Sequence, residues 1–325
     1  MSKIIKFGLL FSIDLCLILL IVTFLLKIKY IHESNVKGIQ HVNFISKENL
    51  EFGKSNLKHY YEPKANNFYI QNPDWLGYEV KNHINSDTLN DEKEINIEKD
   101  YKTYRIIAIG DSFTYGDFVK TANSYPKVLE KFFNDNVQCE NFSKFEVLNL
   151  GVSGYDLEYA AERLVKRGLK YKPDLVIWLI NDWNVRKISE LYFPLKEKLI
   201  KDGIPEYNPE NKHYRVANIA INGIIEQFGI DNILNYQEKV MNKLYDHYHG
   251  KLLIASFSSH DTQTENLIND FIKNKQDYFY FDRVFDTGIN KEFQFEDGHP
   301  NEMGYKRIVE SISNYILDKN LLPCK

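Results

Sequence analysis

The apolar positions of this chain form short continuous runs that alternate with longer stretches of helical periodicity. The continuous runs, which predict strands buried on both faces of a sheet, lie at 105–109, 145–150, 175–180, 251–256 and 278–281. Apolar residues spaced three and four apart predict helices at 125–133, 156–168, 231–248, 262–273 and 301–317. Alternating strands and helices imply right-handed crossovers, so we expect an α/β domain whose parallel sheet is covered on both faces.

Residues 7–26 form a longer apolar run with lysines on both sides. About 20 apolar residues suffice to cross a bilayer as a helix. A cleaved signal peptide is the competing interpretation, which we disfavour because no small-x-small cleavage site follows the run. We therefore expect residues 1–29 to hold one transmembrane anchor. The flanking lysines nearly cancel as an orientation signal, but the short amino terminus and large following domain favour a domain outside the cytoplasm.

Two polar segments interrupt the alternation of strands and helices. Residues 30–103 are rich in Asn, Lys and Glu, and we interpret them as a stalk with a small β element at 67–71 and 74–80. Residues 183–230 form an insertion after the third predicted strand, where long insertions commonly shape substrate pockets. The main domain is expected to cover residues 104–325, including this insertion.

Composition excludes some functions and leaves the cysteines open. The 325 residues carry 41 Lys and Arg against 45 Asp and Glu, a formal net charge of −4, which argues against a nucleic-acid binder. The cysteines are Cys16, Cys139 and Cys324, too few for a disulfide framework or a metal site. Cys139 and Cys324 are able to pair only if the domain is extracytoplasmic and they lie close together, so two unpaired thiols are our expectation.

Polar residues that suit acyl chemistry stand near the ends of several predicted strands. Ser112 follows Gly110 at the end of the first strand, although by itself it equally suits a helix cap. A serine nucleophile needs a base, and a histidine held by a carboxylate supplies one, as His299 and Asp297 would. The oxyanion needs donors, which a glycine N–H and an asparagine amide provide. Gly154 and Asn181 fit that need.

Together these blocks resemble the SGNH, or GDSL-type, hydrolase superfamily. The matching residues occur in the family's order and are Gly110-Asp111-Ser112-Phe113, Gly154, Asn181-Asp182 and Asp297-Gly298-His299-Pro300. The resemblance implies a three-layer sandwich with a flavodoxin-like parallel sheet. It implies Ser112 as nucleophile, His299 as general base oriented by Asp297, and an oxyanion hole of Ser112 N–H, Gly154 N–H and the Asn181 side chain. Such a site works through an acyl-enzyme, with no metal or dissociable cofactor.

The chain departs from the family pattern at two positions. Leu179 stands two residues before Asn181, where the family commonly has glycine, and this would narrow the space beside the asparagine. The family's carboxylate commonly lies three residues before the histidine, where Glu296 stands, so Glu296 competes with Asp297 for that role. We prefer Asp297, because the shorter Asp-x-His spacing also occurs in envelope-associated relatives. Asp111 is expected to fix its turn by accepting backbone hydrogen bonds.

These features predict a membrane-anchored, extracytoplasmic serine esterase or O-acyltransferase. Its expected substrate is a small acyl ester, such as an acetyl group on an envelope glycan. Lipid esters and thioesters are the alternative substrates. A hypothesis of another class is an anchored carbohydrate-binding protein that retains the fold without turnover.

Overall fold

Seven strands form two sheets in the part of the chain that the structure describes. The computed structural model describes residues 57–205, 215–257, 262–285 and 291–324. The smaller sheet pairs two antiparallel strands, β1 (Asn67–Gln71) and β2 (Val80–Ile84). The larger sheet has five parallel strands, which are β3 (Thr103–Ile109), β4 (Lys144–Asn149), β5 (Leu175–Ile180), β6 (Lys251–Ser256) and β7 (Tyr278–Phe281).

The larger sheet has the strand order β4-β3-β5-β6-β7. All of its neighbouring strands pair in parallel. This is the flavodoxin-like order, and it confirms the parallel α/β sheet expected from the alternation of elements. The chain reverses its direction of travel across the sheet between β3 and β5, where ligands bind in folds of this kind.

Helices cover both faces of the larger sheet. Those within the described ranges are α1 (Ser112–Tyr115), α2 (Tyr125–Asn136), α3 (Leu157–Arg163), α4 (Asp182–Arg186), α5 (Ser189–Lys201), α6 (Arg215–Phe228), α7 (Ile230–His247), α8 (Thr262–Ile272) and α9 (Glu302–Asp318). One core packs α3, α5, α6, α7 and α8 against the sheet, and a second core packs α2 and α9 against the opposite face. The chain therefore forms three layers.

Strand β3 shows why the apolar runs are continuous. Ile107 and Ile109 point into the first core, whereas Ile106 and Ala108 point into the second. All four side chains are fully buried. Because successive strand residues face opposite sides, a strand covered on both faces needs apolar residues at every position.

The small β element differs from the prediction in its second strand. Residues 74–80 alternate like a strand but contain a turn at Gly77, whose φ of +73° breaks the extended conformation. The turn brings Leu76 and Val80 together with Phe118 in a small apolar cluster, and β2 begins only at Val80. The prediction of a strand at 74–80 was therefore wrong.

The segment from residue 57 to β3 packs closely on the sheet domain. Leu89 is fully buried in the first core, and Asn90 Nδ2 donates to the Tyr115 carbonyl at 2.7 Å. The Arg163 guanidinium donates to the Thr88 carbonyl at 2.6 Å. The boundaries at 29 and 103 stay a prediction.

Cys139 and Cys324 are joined by a disulfide, so the expectation of unpaired thiols was wrong. Cys139 follows the end of α2 and Cys324 follows the end of α9, and these helices belong to the same core. Their packing brings the two Cα atoms to 4.7 Å, within the range that a disulfide spans. No motif in the sequence predicts this proximity.

No helix in the described ranges is both long and apolar enough to cross a bilayer. The apolar run at residues 7–26, on which the anchor was predicted, lies outside these ranges.

Candidate active site

Ser112 is the first residue of α1, directly beyond the carboxyl end of β3. Gly110 makes the sharp turn between them, and a Cβ at this position would lie only 2.6 Å from the Leu179 carbonyl oxygen. Asp111 caps α1 by accepting a hydrogen bond from Phe113 N–H at 3.0 Å, as expected from the sequence. Ser112 is buried, with 9% of its surface exposed.

His299 connects Ser112 to Asp297. Its Nε2 atom lies 2.8 Å from Ser112 Oγ, and its Nδ1 atom lies 2.8 Å from Asp297 Oδ2. A carboxylate only accepts hydrogen bonds, so Nδ1 carries the proton and Nε2 accepts from the serine hydroxyl. His299 N–H also donates to Asp297 Oδ1 at 3.1 Å. The carboxylate behind the imidazole is thus Asp297, and the competing Glu296 is exposed to solvent.

Aromatic rings hold the His299 imidazole on two sides. Phe113 stacks on it with ring centroids 5.0 Å apart, and Phe118 meets it edge to face at 5.2 Å. Burial lowers the pKa of His299, but the hydrogen bond and charge of Asp297, together with the charges of Asp117 and Asp111, outweigh burial. The pKa of His299 is consequently raised above its ordinary value of 6.5.

Asn181 lies at the end of β5 and caps α4. Its Oδ1 atom accepts from Asn184 N–H, while Asn184 Oδ1 accepts from Asn181 N–H, both at 3.0 Å. Both amides donate to Asp111 Oδ2 at 2.9 Å. The amide plane of Asn181 is therefore fixed relative to Ser112, with one of its two Nδ2 hydrogens committed to Asp111. Burial raises the pKa of Asp111, and these hydrogen bonds partly oppose that rise.

Gly154 lies in a turn with Ser153, between β4 and α3. Val152 N–H donates to the Gly110 carbonyl at 3.2 Å, which places this turn beside the start of α1. Ser153 Oγ donates to Asp117 Oδ2 at 2.6 Å. Gly154 has a φ of +81°, a conformation that favours glycine. The elements that carry Ser112, Gly154, Asn181 and His299 are thus brought to one edge of the sheet.

Several residues near the site were not predicted from the sequence. Asn184 donates to the same Asp111 carboxylate oxygen as Asn181. Asp117 is buried, and burial raises the pKa of its carboxyl group to about 6. Two further side chains, Tyr61 and Lys187, hydrogen-bond to the carbonyls of Ser153 and Gly154. Asp117 follows Ser112 closely in sequence, but no spacing rule singles it out. The Leu179 side chain, expected beside Asn181, is buried in the second core.

The site consists of a serine, a histidine, carboxylates and amides. Among the described residues, no group of three His, Cys, Asp or Glu side chains is arranged to hold a metal ion. The chemistry that these residues offer is nucleophilic attack by the serine with general base assistance from the histidine.

Comparisons of structure find solved structures that align with this chain at low sequence identity. TesA is 14% identical, with a TM-score of 0.43 over 67% of this chain and 99% of TesA. The psychrotrophic esterase EstA from Pseudoalteromonas sp. is 12% identical, with a TM-score of 0.42 over 66% of this chain and 98% of EstA. A catalytic mutant of Axe2, an acetylxylan esterase from Geobacillus stearothermophilus, is 14% identical, with a TM-score of 0.43 over 66% of this chain and 94% of Axe2.

A comparison with curated proteins finds no match. The family model for GDSL-like lipase/acylhydrolase matches residues 106–312, from the strand before Ser112 to the last helix. Because this match spans more than half of the sequence, the chain belongs to the GDSL-like lipase/acylhydrolase family and is a hydrolase that acts on ester bonds.

Proposed function

We propose that this protein is a serine esterase or O-acyltransferase in which Ser112 is the nucleophile, His299 the general base and Asp297 the residue that orients the base. The observation that carries the proposal is the continuous hydrogen-bonded chain from Ser112 Oγ through His299 to Asp297. A serine hydroxyl is a weak nucleophile at neutral pH, and this chain supplies the proton acceptor that it needs.

The reaction proceeds in two steps. Ser112 Oγ attacks the acyl carbonyl carbon while its proton moves to His299 Nε2, forming a tetrahedral intermediate. His299 then returns the proton to the departing alcohol oxygen as the ester C–O bond breaks, which leaves an acyl-serine. In the second step water, or an acceptor hydroxyl, attacks the acyl-serine, and His299 takes and returns a proton in the same way.

The oxyanion of the tetrahedral intermediate is bound by three donors: Ser112 N–H, Gly154 N–H and the second Nδ2 hydrogen of Asn181. Asn181 suits this role because Asp111 and Asn184 already fix its amide plane. Donors that are fixed before the reaction stabilise the developing charge without reorganising, and this is commonly the largest single contribution to such catalysis.

We further propose that the domain acts outside the cytoplasm, anchored by residues 7–26, on O-acetyl groups of an envelope glycan. The disulfide between Cys139 and Cys324 supports this location, because disulfides persist mainly in oxidising compartments. The substrate proposal rests on that location. Lipid esters and thioesters are its competitors.

The full chain, purified in detergent, is assayed with p-nitrophenyl acetate, p-nitrophenyl octanoate and an acetyl thioester, with Ser112→Ala as the control. We expect hydrolysis by the parent alone and a preference for the acetyl oxygen ester. Equal rates for the parent and Ser112→Ala contradict the proposed nucleophile. A preference for octanoate favours a lipid esterase, and a preference for the thioester favours a thioesterase.

Release of acetate from an acetylated polysaccharide then tests whether a glycan is the substrate. Acetyl transfer to an added glycan separates transfer from hydrolysis.

A fluorophosphonate probe separates an enzyme from a binding protein. We expect the probe to label Ser112 in the parent and to leave Ser112→Ala unlabelled. A parent protein that resists labelling supports the carbohydrate-binding alternative.

A further inference from the structure

The Ser153–Gly154 turn is held by side chains that lie outside the recognised sequence blocks. Tyr61 Oη donates to the Ser153 carbonyl at 2.6 Å, and Lys187 Nζ donates to the Gly154 carbonyl. Tyr61 also precedes the family match at 106–312. Ser153 and Gly154 are both half-buried, and these two contacts add to the hydrogen bond between Ser153 Oγ and Asp117 that also holds the turn.

We propose that Tyr61 and Lys187 are positioning residues for the Gly154 N–H that binds the oxyanion. This inference rests on the proposed function. The Ser153 carbonyl and the Gly154 N–H belong to one trans peptide unit, in which they point in opposite directions. A hydrogen bond from Tyr61 to the carbonyl therefore fixes the direction of the N–H on the other side of the turn.

Tyr61 is rigidly placed by the segment that carries it. We call residues 57–62 the strap. Its backbone N–H groups at Lys58 and His59 donate to the Glu190 carboxylate at 3.0 and 2.9 Å. At its other end Glu62 pairs with Arg167 at 2.6 Å. The strap is thus pinned on both sides of Tyr61.

The neighbours of Tyr61 fix it further. The Tyr155 hydroxyl donates to the Tyr61 carbonyl, and the two rings meet edge to face at 5.2 Å. A Cβ on Gly154 would lie 2.9 Å from Tyr61 Oη, which shows how closely the strap covers the turn. A side chain at position 154 would therefore displace the hydroxyl that holds the Ser153 carbonyl.

Lys187 holds the next peptide unit from the opposite side of Gly154. Its side chain is buried, with 1% of the residue exposed, and the ammonium lies over the rings of Tyr192, Trp183 and Phe193 at 4.4, 4.8 and 5.0 Å. Gln237 Nε2 donates to the backbone carbonyl of Lys187 at 2.9 Å and keeps the residue in place. Fixing the peptide units on both sides of Gly154 fixes its left-handed conformation.

Burying the Lys187 ammonium costs free energy of desolvation. Burial lowers the pKa of Lys187 to about 8, although the charges of Asp156 and Asp111 oppose the change. A methionine of similar length would fill the same aromatic cage without that cost, since replacing buried ions by apolar groups is often neutral or stabilising. The ammonium, unlike a methionine, both orients Gly154 and adds positive potential beside the oxyanion.

The test compares Tyr61→Phe and Lys187→Met with the parent in the full chain. Tyr60→Phe is the matched control, because it removes the same group from the neighbouring residue of the strap. The Tyr60 hydroxyl donates to Glu62 Oε1 at 3.0 Å and not to the Ser153–Gly154 turn. Losing an oxyanion donor outright costs about 10² to 10³ in kcat, so we expect a misaligned donor to cost about 10-fold. The KM for p-nitrophenyl acetate should change by less than about twofold, because the hydrogen bond from Gly154 N–H to the oxyanion forms only in the transition state.

A trifluoromethyl ketone, which forms an oxyanion adduct with the serine, distinguishes positioning from general damage. We expect its Ki to rise by the same factor as kcat falls in both variants and to stay unchanged in Tyr60→Phe. Parental kcat and Ki in Tyr61→Phe and Lys187→Met overturn the inference while leaving the nucleophile assignment intact. Equal hydrolysis by the parent and Ser112→Ala overturns the proposed function and the inference together.

Discussion

His299 Nε2 lies 2.8 Å from Ser112 Oγ, although the two residues are 187 positions apart in the chain. Ser112 follows the end of β3, whereas His299 stands shortly before α9, in the opposite half of the sequence. The imidazole is kept in place by Asp297 and by the rings of Phe113 and Phe118. The orientation of the imidazole is therefore set before any substrate binds.

The identity of the triad acid is tested by exchanging each carboxylate for its amide. Asp297→Asn should lower kcat by about 10⁴, because an amide stabilises the wrong imidazole tautomer and removes the charge that stabilises the imidazolium. Glu296→Gln should change kcat by less than about threefold, because exposed charges are well screened. Steady-state hydrolysis of p-nitrophenyl acetate measures both. A larger loss in Glu296→Gln would assign the role to the other carboxylate.

The pH profile should show a raised acid limb. His299 must be neutral to accept the Ser112 proton, so activity should rise as pH increases through its pKa. That pKa is raised above 6.5, because the nearby carboxylates outweigh the effect of burial. The midpoint of the acid limb of kcat/KM should consequently lie above 6.5. A midpoint below that value contradicts the electrostatic account of the site.

The contribution of Asp117 to this limb can be isolated. Burial raises the pKa of Asp117 to about 6, so the group is mostly ionised over the limb, and its charge raises the pKa of His299. Asp117→Asn should therefore move the limb to lower pH. Glu296→Gln is the matched control, since it removes the same charge from an exposed position, and it should leave the limb in place. Equal behaviour of the two variants would exclude a local effect of Asp117.

The layout of the site was predictable because the sheet is parallel. Continuous apolar runs identified β3 and β5, and the carboxyl ends of parallel strands meet at one edge, which brings Ser112 and Asn181 together. The alternating residues at 74–80 were misread because a turn at Gly77 keeps the same spacing of large side chains. The pattern alone does not reveal a positive φ.

Contacts across the layers were not predictable from local pattern. The sequence between β5 and α7 resembles a solvated insertion, yet Lys187 is buried in a cage of aromatic rings within it. Tyr61 reaches Ser153 from 92 residues away, and only the path of the strap brings it there. Such contacts depend on how elements pack together, and neither residue type nor spacing records that.

The oxyanion role of Asn181 can be separated from its capping role. Asn181→Ser retains a side chain that caps α4 well but cannot extend an N–H toward the carbonyl of the substrate. We expect kcat to fall by about 10² to 10³ with a similar thermal midpoint. The measurement combines steady-state kinetics with thermal unfolding. A parental kcat in a variant of unchanged stability would remove Asn181 from the oxyanion hole.

The disulfide should contribute strongly to stability because it closes a long loop. Cys139 and Cys324 are separated by 185 positions, and a cross-link over such a loop limits the unfolded chain far more than the folded one. Cys139→Ser should lower the free energy of unfolding by about 2 to 5 kcal/mol, measured by urea denaturation under oxidising conditions.

Cys16→Ser is the control and should leave the stability unchanged, since Cys16 takes no part in this bond. If dithiothreitol destabilises the parent and Cys16→Ser alike but leaves Cys139→Ser unaffected, the bond is the source. Equal stability of all three proteins before reduction would contradict the prediction.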